Sequence, residues 1–187
     1  MPAELRSIPI AGAFELMGQP FRDHRGAFFS GFRLQEPAFA KAWAQRPIAQ
    51  VNFSCTEVVG TVRGLHLQSA PHSEAKLVRC LRGRVWDVVV DLRSGSSTFG
   101  LWHAVELTPA SCNALLIPEG CAHGFQVLEA GSELVYLHSG DWVPQAEIGV
   151  NCSDPQLKIT WPLPPIGLSA RDQALPSLLA FEGDPPQ

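Results

Sequence analysis

No stretch of this 187-residue sequence approaches the roughly 20 consecutive apolar residues that a bilayer-crossing helix needs. Its opening, MPAELRSIPI, lacks the basic head and apolar run of a secretory leader, so the chain is expected in the cytoplasm with no membrane partner. No CxxC pair occurs among Cys55, Cys80, Cys112, Cys121 and Cys152, and their odd number leaves one thiol over. Neither a zinc ribbon nor a disulfide scaffold is indicated, and a reducing compartment is the simpler home. Basic residues are nowhere clustered and the formal net charge is −4, which speaks against nucleic acid as a partner while leaving single arginines for a small anion. Neither a phosphate-cradling GxGxxG or GxxxxGK[ST] loop nor a GxSxG elbow is found. Dinucleotide, nucleotide-hydrolysing and serine-hydrolase chemistry therefore fall away as first choices.

What is present reads mostly as strand. The text KLVRCLRGRVWDVVVDL, from Lys76 to Leu92, alternates, with Trp86, Val88, Val90 and Leu92 on one face and Asp87, Val89 and Asp91 on the other; Arg82-Gly83 breaks it as a hairpin would. Further apolar runs at 101–107, 113–117, 124–128 and 133–138 are separated by Gly95, Pro109, Pro118-Glu119-Gly120 and Gly131. Short strands at about ten-residue spacing predict an antiparallel sandwich or barrel. A helix is expected over Glu36–Trp43, with Pro37 at its first turn, and a second, short one where Ser169-Ala170-Arg171-Asp172 matches a capping box. The whole chain is expected to be a single domain, with a core over about 7–165 and a short helical C-terminal segment over about 168–181.

In such a barrel, polar residues on the inward face need explaining, because they are either a satisfied network or a cavity wall. The stretch VRGLHLQ, residues 62–68, raises that question directly. Regular alternation puts Arg63, Leu65 and Leu67 on one face and Val62, His66 and Gln68 on the other, with Gly64 marking a bulge or a close approach. A second histidine, His123, is expected from a turn at the start of an apolar run, and the chain's single tyrosine, Tyr136, lies in a strand. Taken singly, each has an ordinary structural explanation: a bonded core histidine, a packed tyrosine, Lys76 as a solvated strand end, Asp172 as the capping partner of Ser169. A metal cage wants His-x-His with a carboxylate and a further histidine. Position 68, two after His66, is Gln, and the nearest downstream carboxylate, Glu74, sits in a Pro-His-Ser-Glu loop that reads as solvated, so no metal site and no cofactor are expected.

Taken together, these residues carry a family. The ordered series Phe21-Arg22-Asp23-His24-Arg25-Gly26, Gln50-Val51-Asn52-Phe53-Ser54, Arg63-Gly64-Leu65-His66, Lys76-Leu77-Val78, Val88-Val89-Val90-Asp91-Leu92-Arg93, Ala122-His123-Gly124-Phe125, Tyr136 and Ile159-Thr160-Trp161-Pro162 resembles dTDP-4-dehydrorhamnose 3,5-epimerases over about residues 7–178. The resemblance implies a mainly β, cupin-like jelly roll, a homodimer formed by strand exchange, and metal-free epimerisation of a dTDP-4-keto-6-deoxyhexose at C3 and C5. It casts His66 as general base, Asp172 as its paired carboxylate and Tyr136 as proton donor. By the same resemblance Arg25, Gln50, Asn52, Arg63, Lys76, His123, Glu147 and Arg171 contact substrate, and Trp142 stands where an aromatic ring stacks on thymine. Ser30 falls where the family usually has a glutamate. The alternatives are a C3-only epimerase, a 3,4-ketoisomerase, and a metal-dependent or non-catalytic cupin.

That chemistry suits these side chains. A hydrogen beside a ketone is weakly acidic, so its removal needs a base that titrates near neutrality, such as an imidazole oriented by a carboxylate. Fixed donors, here Lys76 and His123, hold the developing enolate oxygen. Arg63 and Arg25 suit a diphosphate through bidentate bonds, and a phenol is a reasonable acid toward an enolate.

Overall fold

The computed structural model describes residues 4–181; Met1 to Ala3 of the opening segment and residues 182–187 lie outside the described residues. Two antiparallel sheets face each other. The larger runs in the order β1 (Glu4–Ser7), β2 (Phe14–Met17), β10 (Asn113–Ile117), β7 (Lys76–Arg82), β12 (Ser132–His138) and β5 (Gln50–Thr56). Opposite it lie β13 (Glu147–Gly149), β6 (Val62–Gln68), β11 (Cys121–Val127), β8 (Val85–Asp91) and β9 (Trp102–Leu107). A separate hairpin, β3 (Phe21–Asp23) and β4 (Gly26–Phe28), has every strand residue exposed.

Alternation along the strands separates three apolar layers. Between the sheets, Val78, Leu115, Ile117 and Leu134 meet Val85, Val89, Leu107, Phe125 and Val127. On the outer face of the larger sheet, Leu16, Leu77 and Leu116 are covered by helix α1 (Pro37–Trp43), which buries Phe39 and Trp43. On the outer face of the smaller sheet, Val62, Leu65, Leu67, Val88 and Val90 are covered by Leu157, Ile159, Trp161, Leu168 and Leu178 of the C-terminal segment. The split predicted for residues 86–92 is seen: Val88 and Val90 face outward while Val89 faces the inner layer.

The phase of β6 departs from simple alternation. Val62 packs outward, yet so do Leu65 and Leu67, and both Arg63 and His66 line the inner cavity. The change of phase falls at Gly64, where φ is +122° and the register with β11 shifts between His123 and Phe125. A Cβ built at this glycine would sit 2.6 Å from the Gly124 Cα, so only glycine lets the two backbones approach and the strand turn over. Arg63 and His66, expected on opposite faces, therefore share one.

Both helices form where the sequence places them. Pro37 occupies the first turn of α1, and Ala44 in the left-handed region ends it. In α2 (Ala170–Gln173) the Ser169 hydroxyl accepts from the Asp172 N–H at 3.1 Å. The run expected from residue 124 begins earlier, at Cys121, so His123 sits within a strand rather than on the preceding turn.

Candidate active site

Between the sheets opens a cavity of about 1050 Å³. The smaller sheet supplies Arg63, His66, His123 and Glu147; the larger supplies Gln50, Asn52, Ser54, Lys76, Tyr136 and His138. Trp142, Arg171 and Asp172 close the rim from loops and from α2. His66 and Tyr136 thus belong to opposed walls of a single space.

His66 is held from two sides. Its Nε2–H donates to Asp172 Oδ1 at 2.7 Å, which leaves the lone pair on Nδ1, and Glu147 Oε1 lies 3.6 Å from that atom. The cap that builds α2 is also what places Asp172, because Ser169 pins its backbone while its side chain reaches the imidazole. Burial pulls the His66 pKa below its ordinary 6.5, against the opposing pull of Asp172 and Glu147. A neutral ring at neutral pH with an open Nδ1 is a base ready to accept a proton, and the two carboxylates stabilise the imidazolium that results.

Across the cavity the Tyr136 hydroxyl lies 3.1 Å from Ser54 Oγ. Burial pushes its phenol well above the usual range, so Tyr136 stays protonated and can donate. His123, edge-on to the Tyr136 ring at 6.0 Å, pairs through Nε2 with Asp87 Oδ2 at 2.9 Å. Burial pushes the Asp87 carboxyl up against the pull of His123, and Asp87 Oδ1 meets no hydrogen-bond partner among the described residues. Lys76 is no solvated strand end: it is 8% exposed, with its ammonium 3.4 Å from Glu74 Oε1 and 3.4 Å from the His66 carbonyl oxygen. Glu74 is likewise buried, at 6% exposure, which corrects its reading as a solvated loop residue.

Arg63 Nε–H donates to Thr56 Oγ1 at 3.0 Å and makes no ion pair among the described residues, so its guanidinium is available to an anion. Trp142 is half exposed at the cavity rim; its indole N–H donates to Glu147 Oε2 at 2.8 Å, and Arg171 donates to the same oxygen at 2.7 Å. Gln68, the last polar residue of VRGLHLQ, has a structural part: it bonds the Asp141 carbonyl and the Val143 N–H, and so carries the loop bearing Trp142.

Arg25 and Ser30, expected among the substrate contacts, are not brought to the cavity. Arg25 lies on the exposed β3–β4 hairpin, paired at 2.7 Å with Asp23, and the Ser30 hydroxyl donates to the Phe32 carbonyl. The sequence reading also missed His138, Glu74, Asp87, Ser54 and Thr56. Period-two spacing from Tyr136 was the available signal for His138. Among the described residues no group of three or more His, Cys, Asp or Glu side chains is placed to hold a metal ion.

Two facing antiparallel sheets with a cavity between them make the molecule a cupin-like jelly roll. The family model described as dTDP-4-dehydrorhamnose 3,5-epimerase matches residues 7–180. A dTDP-4-dehydrorhamnose 3,5-epimerase of Mycobacterium tuberculosis is 40% identical over 180 residues, covering 92% of this chain and 86% of that one. A dTDP-4-dehydrorhamnose 3-epimerase of Streptomyces niveus is 42% identical over 171 residues, covering 90% and 81%. The crystal structure of a Legionella pneumophila 3,5-epimerase in complex with dTDP-4-keto-L-rhamnose superposes with a TM-score of 0.90 at 34% identity, covering 96% of this chain and 95% of that one. The chain belongs to the dTDP-4-dehydrorhamnose 3,5-epimerase family, and it is an epimerase.

Proposed function

We propose that this epimerase acts on dTDP-4-dehydro-6-deoxy-D-glucose, inverting C3 and C5 to give dTDP-4-dehydro-L-rhamnose for deoxysugar synthesis, without a metal or other cofactor. The observation that carries the reading is the pairing of the carboxylate-backed His66 with a protonated Tyr136 on opposed walls of one cavity. His66 Nδ1 removes the proton beside the C4 ketone, and the electron pair moves onto the ketone oxygen as an enolate. Lys76 and His123 hold that oxygen as donors set in the cavity wall. Tyr136 returns a proton to the carbon from the far face, which inverts it; the phenolate is then reprotonated from solvent and the His66 imidazolium gives its proton up to solvent, which restores both groups. Arg63 binds the diphosphate, Trp142 stacks on thymine, and Gln50, Asn52, Glu147 and Arg171 orient the nucleotide and sugar.

The working form is a homodimer of single-domain protomers, in the cytoplasm. In support, Phe28 is 77% exposed on the β3–β4 hairpin and Phe53 is 72% exposed on β5, an edge strand of the larger sheet. All five cysteines are free, as a reducing compartment requires.

Product analysis by NMR in deuterated water tests the function. Deuterium at both C3 and C5 is expected. Deuterium at C3 alone would replace the reading with the C3-epimerase represented among the relatives, and no exchange at either carbon would remove it.

A further inference from the structure

Three histidines that line this cavity each pair with a carboxylate, and the reaction above uses two of these pairs: His66 with Asp172 and His123 with Asp87. The third is His138 with Glu74. Glu74 Oε2 accepts from His138 Nδ1 at 3.0 Å, while Oε1 lies 3.4 Å from the Lys76 ammonium. An ammonium carries three N–H donors; Glu74 and the His66 carbonyl back two of them, which leaves one for substrate.

The other branch runs toward the cavity rim. His138 lies beside Tyr136, with ring centroids 6.0 Å apart and planes 27° from parallel. Because its Nδ1–H is committed to Glu74, its Nε2 presents a lone pair, and Asn52 Nδ2–H faces that atom at 3.4 Å. This choice fixes which way the Asn52 amide points. Asn52 Oδ1 then accepts from Gln50 Nε2–H at 2.8 Å, and Gln50 Oε1 accepts from the Trp142 backbone N–H at 2.8 Å.

We propose that Glu74 is a positioning residue that acts through both branches: it aims the Lys76 ammonium at the ketone oxygen and, through His138, sets the amides of Asn52 and Gln50 and with them the loop bearing Trp142. The Lys76 branch rests on the epimerase reading above, whereas the His138 branch is read by ligand binding without turnover. A buried carboxylate kept only for the fold would tolerate its neutral isostere in catalysis. One that aims a cation would not.

Glu74→Gln and Glu74→Asp, each checked to be folded by its unfolding temperature, separate these cases. Glu74→Gln is expected to lower kcat roughly ten- to a hundredfold, the size of a lost hydrogen bond to a charged group, with a smaller change in KM. Glu74→Asp keeps the charge and is expected to recover most of that kcat. His138→Phe keeps a ring beside Tyr136 and removes both of the histidine's bonds. Its dissociation constant for thymidine diphosphate, measured by calorimetry, is expected to rise roughly fivefold, and adding Glu74→Gln should weaken that binding no further. Glu74→Gln turning over as fast as Glu74→Asp, or His138→Phe binding thymidine diphosphate like wild type, overturns the proposal. Wild-type protein that binds thymidine diphosphate yet leaves the keto sugar unchanged sinks the epimerase reading instead, and the calorimetric result still decides the His138 branch.

Discussion

His66 and Tyr136 are offset in opposite directions by the same cause. Burial lowers the imidazole pKa and raises that of the phenol, so near neutrality one is an empty base and the other a loaded acid. The acid limb of kcat/KM is therefore expected below pH 6.5, the ordinary imidazole value, because the folded enzyme keeps its base neutral to lower pH. A pH–rate profile with that limb at or above 6.5 would show that Asp172 and Glu147 outweigh burial. Trp142→Ala is expected to raise KM by roughly tenfold with a lesser effect on kcat, since stacking on the base is the same in ground and transition states; initial-rate kinetics separate the two. At this scale the sequence was legible through the family resemblance: His66, Tyr136, Lys76 and Asp172, each with an ordinary structural explanation when taken singly, could be named by it as candidates, and all four line one cavity. Glu74 could not, because Pro-His-Ser-Glu looks like a solvated turn until its carboxylate is seen between His138 and Lys76.

Strands and helices were more legible than their facings. Hairpin signals and apolar runs located β7, β8, β9, β10 and β12 closely, and Pro37 and Ser169 marked the two helix starts. The phase of β6 was hidden because it turns on Gly64 meeting Gly124 across the sheet, a contact between positions 60 residues apart that no local period encodes. Gly64→Ala is accordingly expected to reduce activity at least tenfold by moving His66, since a methyl there would lie 2.6 Å from the Gly124 backbone; kinetics alongside circular dichroism check it. The outer face of the larger sheet depends on α1. Trp43, fully buried and hydrogen-bonded to the Arg46 carbonyl at 2.8 Å, is expected to cost about 3–5 kcal/mol on Trp43→Ala in chemical denaturation.

Across the whole molecule, two sheets must stay closed for the walls to face each other. Asp91, at the end of β8, holds the turn over 91–98, whose Arg93 and Thr98 in turn reach Ala11 between β1 and β2 of the larger sheet. Although burial raises its pKa, bonds from Arg93, Ser96 and Thr98 outweigh this and hold the carboxyl down at about 2 from an ordinary 3.8. A depressed folded-state pKa contributes stability that is fully present above 3.8 and drains away as pH falls toward 2. Unfolding midpoints should drop across that window, and Asp91→Asn should flatten the drop. The homodimer is proposed from the resemblance alone, and the exposed Phe28 and Phe53 could be set beside it only once the sheet edge was located. The chemistry is decided most directly by solvent-deuterium exchange into dTDP-4-dehydro-6-deoxy-D-glucose, followed by NMR for wild type, His66→Ala and Tyr136→Phe. His66→Ala is predicted to exchange nothing above background, and Tyr136→Phe to retain exchange while losing the epimerised product. Exchange at the wild-type rate in His66→Ala would contradict the assignment of the base.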